Sequence, residues 1–321
     1  MVFQGTVWGP WLWNVFYEDS RHAINRALFQ EIVYADDLNA FREFLLRTPN
    51  SEVFASTASC QKELHAWGRA NQVAFDAGKE SHHVVSHVSP EGPDFKILGI
   101  LFDCGLTMAA AIHELAGECR WKIRGLLRLA RYHTQNEMVQ LYKSQVLSFI
   151  EYRTPGIYHA CDSHLQVLDR LQESFLRDIS VDTVDALLQY NLAPLSTRRD
   201  IAMLGLIHRT VLGKGPPQFS RFFFLEPLPV RRVSTRSRSR AHFRRIHEHL
   251  KGRYLDKVKR SCLGLASVYN ILPPEVVVPN CVSSFQCCLQ DLVKSQVLRS
   301  GEWSQLLSPR HWLHAHPLLH V

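Results

Sequence analysis

The sequence contains no run of 18 apolar residues, and that excludes a membrane-spanning helix. No Cys-x2-Cys pair occurs among its eight cysteines, which excludes the usual zinc-knuckle and zinc-finger spacings. The one Cys/His cluster is Cys281, Cys287 and Cys288 with His311, His314, His316 and His320, and it fits none of those patterns. The cysteines are also too irregularly spaced for a disulfide framework. Free thiols in a reducing compartment are expected, those of the cluster buried or half-buried on a helix. The apolar, aromatic first 17 residues carry no lysine or arginine ahead of their apolar stretch. They run through Gly9-Pro10 into Glu18-Asp19 with no small-residue cleavage pattern, so a secretory signal is rejected. No unit of 20 to 50 residues recurs, so repeat architectures are excluded too.

What is present is a chain of 321 residues, 46% of them apolar, which is enough to bury a core and to form two or three structural units. Lysine and arginine number 37 against 30 acidic residues, a net +7. That charge is local. Residues 230–260 hold twelve basic and two acidic residues, a net +10, so the other 290 positions sum to −3. A nucleic-acid argument therefore belongs to a segment and not to the average.

Along the chain, Pro10 followed by Trp11, Leu12, Val15 and Phe16 reads as a helix with proline in its first turn. Trp8, Trp11 and Trp13 are read as core and helix-packing aromatics. Residues 27–34 and 38–41 read as a β-hairpin. Asn50 and Ser51 are capping candidates for a helix with its apolar stripe at Val53, Thr57, Cys60, Leu64 and Trp67. Residues 73–75, 83–88 and 95–102 read as further strands. From about residue 108 the pattern is helical. Thr134 and Glu137 make a capping box ahead of Met138, Leu141, Tyr142, Val146 and Phe149, and Thr154-Pro155-Gly156 stops that helix. Further helices run from about Ser163, from Thr197, and around Phe285, Leu289 and Leu292. His247 and His249, on a presumed helix, do not share a face. The fold class is α+β.

Tyr34-Ala35-Asp36-Asp37 is the sharpest feature. Two adjacent carboxylates cannot both be buried unpaired, so they face water, a basic partner or a hard cation. Alone, the tetrapeptide is best read as a solvated turn. Its neighbours change that reading. Gln4-Gly5, Gly9-Pro10 and Asn14 come before it, with 30 residues from Gln4 to Tyr34. Phe75 and Lys79 follow, 42 residues separating Asp37 from Lys79, and Leu98-Gly99 ends 20 residues beyond Lys79.

In this order and spacing the chain resembles the reverse transcriptases of non-LTR retrotransposons, with their QG block, YADD hairpin, F…K block and LG turn. The motifs cover residues 1 to about 105, and the likeness extends more weakly to about 300 through a helical region, an Arg/Ser-rich stretch and Tyr269-Asn270-Ile271-Leu272-Pro273. The resemblance implies a palm, with Asp36 a ligand of a two-metal Mg²⁺ site and Asp37 its support. It places Tyr34, Ala35, Gln4 and Gly5 near template-primer and the incoming dNTP. Lys79 becomes the group near the triphosphate, and Leu98 and Gly99 the turn that grips the primer. Partners would be an RNA template and a DNA primer or target. The family's first metal-binding aspartate lies upstream of QG, where this chain has only Met1, Val2 and Phe3. The chain is therefore expected to be inactive alone and to need a missing N-terminal fingers and palm segment.

The expected division is a partial palm over 1–107, a helical thumb over 108–218, an Arg-rich segment over 219–262, a helical segment over 263–300 and a tail over 301–321. Within the basic segment Arg231, Arg232, Arg236, Arg238, Arg240, Arg244 and Arg245 are candidate phosphate contacts or a nuclear import signal. A solvated linker is the plainer reading of that stretch. Nucleus or cytoplasm is the expected location. RNA-directed DNA polymerisation is the leading function, with a non-catalytic nucleic-acid-binding remnant as the alternative.

Overall fold

The computed structural model describes residues 6–226, 242–250 and 256–300, together with Trp303, residues 305–309, His316 and Leu318. The fold is α+β: helices with two small antiparallel hairpins. The chain divides into two compact units at Leu106/Thr107. No helix among the described residues is long and apolar enough to cross a membrane. All eight cysteines are unpaired.

The first unit opens with α1 (Gly9–Arg26), which has Pro10 in its first turn. The hairpin β1 (Gln30–Tyr34) and β2 (Asp37–Phe41) follows, then α2 (Asn50–Ala70) and a second hairpin, β3 (Phe95–Ile97) with β4 (Ile100–Phe102). Tyr17, Ala23 and Trp67 form one small core, and Ile24, Phe29 and Cys60 another, with Leu38 and Leu64 packed against both. Helix α1 buries only Tyr17, Ser20, Ala23 and Ile24. In its N-terminal half Phe16 and Tyr17 meet Trp67 and Trp13 lies on Tyr17, partly covered, but Trp8 and Trp11 stay 71% and 70% exposed, against the packing expected of them.

Four other readings of this unit need correction. Residues 73–75 form a loop and not a strand, because Phe75 turns in to stack on His65 at 5.4 Å and to meet Trp67. Residues 83–88 contribute one bridge, Val84 to Glu91. Residues 95–102 are two strands folded back on each other, because Leu98 and Gly99 both take positive φ (49° and 76°), the requirement of a two-residue type I′ turn. Asn50 does not cap α2. Its amide donates instead to Ser89 O at 3.2 Å and Glu91 Oε2 at 2.6 Å, tying the helix start to residues 89–91.

The second unit is helical: α3 (Ala109–Leu127), α4 (Gln135–Tyr142), α5 (Ser148–Ile157), α6 (Asp162–Asp178), α7 (Thr183–Leu188) and α8 (Leu195–Val211). At the end of the basic stretch lies α9 (Asp256–Lys259), and after it come α10 (Leu265–Ile271), α11 (Pro274–Val277) and α12 (Val282–Ser300). The capping box forms as expected, Glu137 N–H to Thr134 Oγ1 and Thr134 N–H to Glu137 Oε2 at 2.8 Å. A π-helical turn, Lys143–Leu147, joins α4 to α5. The helix does not stop at Thr154-Pro155-Gly156 but runs to Ile157. Pro155 lies in the last turn and forfeits one bond, while Thr154 and Ile157 are buried beside it. Helices on both sides of the basic stretch share one core, with Ile201, Leu204 and Ile207 of α8 meeting Val268 and Tyr269 of α10 and Phe285, Leu289 and Val293 of α12. Cys281, just before α12, and Cys287 are exposed, while Cys288 is half-buried against that core. Hydrogen bonds from Ser283 Oγ and the Ser284 and Ser283 N–H groups lower the Cys281 thiol to about 7.

At the start of α8, Tyr158 Oη donates to Asp200 Oδ1 at 2.7 Å. Burial pushes this carboxyl up from 3.8 to about 7, against the pull of Tyr158 and Arg199. It stays protonated in the fold at pH values where the unfolded chain has already lost the proton. Unfolding then releases a proton, so Asp200 makes stability fall as pH rises from about 4 towards 7. Asp200→Asn is expected to leave the melting temperature near that of the parent at about pH 4 and to raise it at about pH 8. Equal shifts at the two pH values would contradict this.

Candidate functional site

The carboxylate pair sits at the tip of the first hairpin. Register places Tyr34 opposite Asp37, so Ala35 and Asp36 are the two connecting residues and Asp37 opens β2. Ala35 takes φ +54°, a conformation that favours glycine and that its surroundings must hold. Helix α1 supplies that hold: Trp13 Nε1–H donates to Ala35 O at 2.8 Å. The Trp13 ring lies 4.8 Å from that of Tyr17. Burial first, and then the Asp36 carboxylate, raise the Tyr17 phenol, so this side chain lies beside the turn. Both aspartates are exposed, as the cost of burying two like charges requires. Tyr34 is also exposed.

An open cleft of roughly 1340 Å³ runs past this hairpin, and Asp36, Asp37 and Lys79 all line it. Lys79 is highly exposed, 3.7 Å from Asp76 in a loop following α2. A pair so exposed is worth little, which leaves the ammonium free to meet an anion. The cleft also holds a polar cluster. His65 Nε2 lies 2.8 Å from Glu80 Oε1, Gln61 Nε2–H donates to Glu80 Oε2, and His82 Nε2 is 3.2 Å from Gln61 Oε1. The far wall includes residues 95–97, but Leu98 and Gly99 lie beyond the lining.

Gln4, Gly5 and Arg231, Arg232, Arg236, Arg238 and Arg240 lie outside the described residues. Arg244 turns inward and donates to Val277 O at 2.7 Å, Pro279 O at 2.8 Å and Asn280 Oδ1, tying its segment to the end of α11. Arg245 is exposed. His247 and His249 share a side, their rings 4.8 Å apart, with His247 stacked on Phe224 at 5.2 Å. The segment is extended and bridges Leu225 to Ile246, so residues two apart point the same way.

The residues that sequence reasoning missed here are Trp13, which bonds to the turn, Tyr17 beside it, and the His65–Glu80 pair. No local pattern signals a bond between residues 22 positions apart. Among the described residues no group of three His, Cys, Asp or Glu side chains is placed to hold a metal ion. The adjacent Asp36 and Asp37 are a pair of carboxylates, and a pair does not by itself fit the Mg²⁺ site that the resemblance implies. No family model, curated protein or solved structure matches the chain.

Proposed function

We propose that this chain is the palm-and-thumb part of a non-LTR retrotransposon reverse transcriptase, competent for RNA-directed DNA synthesis only when a further carboxylate-bearing segment completes its site. The observation that carries this reading is the YADD turn, braced by Trp13 and lining one cleft with Lys79. Exposed carboxylates and an exposed lysine along one open wall suit a polyanionic template-primer, a dNTP and the cations they bring. The apolar face left open on the N-terminal half of α1 gives such a segment a surface to cover.

A second reading is favoured by the short carboxylate count: a nucleic-acid-binding remnant in which the hairpin is inert. Primer extension on an RNA template with Mg²⁺ or Mn²⁺ separates the two. The chain alone is expected to make no DNA. A chain fused behind a reverse-transcriptase fingers and palm segment that carries the first aspartate is expected to extend the primer, with synthesis falling to background for Asp36→Ala. Extension that survives Asp36→Ala would overturn the proposal. A well-folded fusion that binds template but never extends would leave the remnant reading standing in its place.

A further inference from the structure

Helix α3 carries a second surface that none of the motifs above includes. Its buried face, with Ile112, Leu115, Ala116, Cys119, Ile123 and Leu126, faces the core of the second unit and packs on α6. Opposite it, Arg120, Arg124 and Arg128 recur at steps of four, and Arg131 continues the line in the short 3-10 turn that follows. All four are exposed, and none has an acidic partner among the described residues. The nearest acids on the helix, Glu114 and Glu118, lie towards its N-terminus, with Glu118 3.6 Å from Arg153. Trp121 lies between the first two arginines and Tyr132 directly after the last, 71% and 68% exposed. Each has a guanidinium over its ring: Arg124 at 5.7 Å from the Trp121 centroid and Arg131 at 4.6 Å from that of Tyr132.

Helix-dipole compensation accounts for cations in the last turn only. It gives no reason for Arg120, for Arg131, or for two large aromatic rings left in water. Aromatic rings set beside cations that have no acidic partner match one kind of partner, a strand whose bases are free to stack and whose backbone carries regular negative charge. We propose that this face of α3 binds single-stranded nucleic acid, with Arg120, Arg124 and Arg128 on successive phosphates and Trp121 and Tyr132 stacking on unpaired bases. The surface belongs to the second unit and involves neither Asp36 nor Lys79, so it stands or falls apart from the polymerase reading.

The test is fluorescence anisotropy with the full chain and a fluorescein-labelled oligo(dT) of about 20 nucleotides, at salt from about 50 to 200 mM. The triple variant Arg120→Gln, Arg124→Gln, Arg128→Gln should bind about a hundredfold more weakly at the lowest salt. Its log–log salt slope should shrink by about 2, the release expected for three phosphate contacts on a single strand. Trp121→Ala should weaken binding by about tenfold with the slope unchanged, because stacking releases no counterion. The Arg→Lys triple should retain the slope. These side chains lie outside the core, so the variants should keep the parent's melting temperature, which is measured alongside. A parent-like affinity and slope in the Gln triple would overturn the proposal. So would oligo(dT) being displaced as readily by a blunt duplex or by polyglutamate, since either would make the rings irrelevant.

Discussion

Arg199→Ala is expected to lower the stability of the helical unit by about 3–5 kcal/mol, the cost of stripping one partner from a buried ion pair. The Arg199 side chain is 6% exposed, and its two terminal nitrogens meet the two oxygens of Asp169 at 2.8 and 3.0 Å. This fork joins α8 to α6. Removing the guanidinium strands Asp169, whose side chain is only 21% exposed. It also takes away a cation that opposes the burial of the neighbouring Asp200. Thermal unfolding should show a fall of about 10 °C for a unit of this size. Arg199→Lys keeps the charge but cannot form the fork, so it should recover only part of the loss. Replacing Arg199 and Asp169 together by apolar residues should cost much less than Arg199→Ala, because no charge is then left unpaired. A loss under about 1 kcal/mol for Arg199→Ala would mean that the pair is solvated and carries little weight.

Phe285→Ala should destabilise the same unit by about 3–5 kcal/mol through the cavity it opens. Phe285 is fully buried on α12 and stacks on His208 of α8, ring centroids 4.0 Å apart and planes within 7°. His208 is itself buried, with Nε2 2.8 Å from Pro279 O and Nδ1 2.9 Å from Tyr269 Oη. With Nε2–H donating to the carbonyl and Nδ1 accepting from the phenol, both ring nitrogens are satisfied in the neutral imidazole. Burial lowers the His208 pKa below 6.5, so the ring stays neutral in the fold while the unfolded chain takes up a proton. His208 therefore makes stability fall as pH drops through the unfolded value near 6.5, a slope opposite in sign to that of Asp200. A cavity at residue 285 that admits water eases charging of the imidazole, so this acid sensitivity should weaken in Phe285→Ala even as total stability drops. Phe285→Leu should cost less than Phe285→Ala. Chemical denaturation at about pH 5 and about pH 8 reads both effects. An unchanged pH slope would show that the neighbouring core closes over the gap.

What could be read from residues alone was local. The Thr134–Glu137 box is a four-residue code, and it formed as the pattern required. The hairpin around Asp36 and Asp37 is legible because a short apolar run ends at a polar link, and because two adjacent charges have to reach water. The turn at Leu98-Gly99 is visible as a motif, yet by composition residues 95–102 read as one strand. An apolar octapeptide does not say where it reverses until two positive φ values are seen.

What remained hidden depended on distant partners. Trp8 and Trp11 looked like core by type, but burial needs an opposing surface and the first unit supplies none. Trp13 acquires its role from a carbonyl 22 residues away. Arg244 belongs by sequence to a basic stretch, and its donors go to the carbonyls and amide at residues 277–280. The arginines of α3 were masked by the −3 balance outside residues 230–260, since an average hides a one-sided helix. Sequence by itself determined the α+β class, the long helices, the exposed aspartate turn and the absence of a spanning helix, because periodicity, capping and desolvation act within a few residues. Tertiary structure decided which aromatics lie open, which arginine turns inward and which charged groups share a cleft. Those depend on contacts between residues tens of positions apart, and no local pattern encodes them.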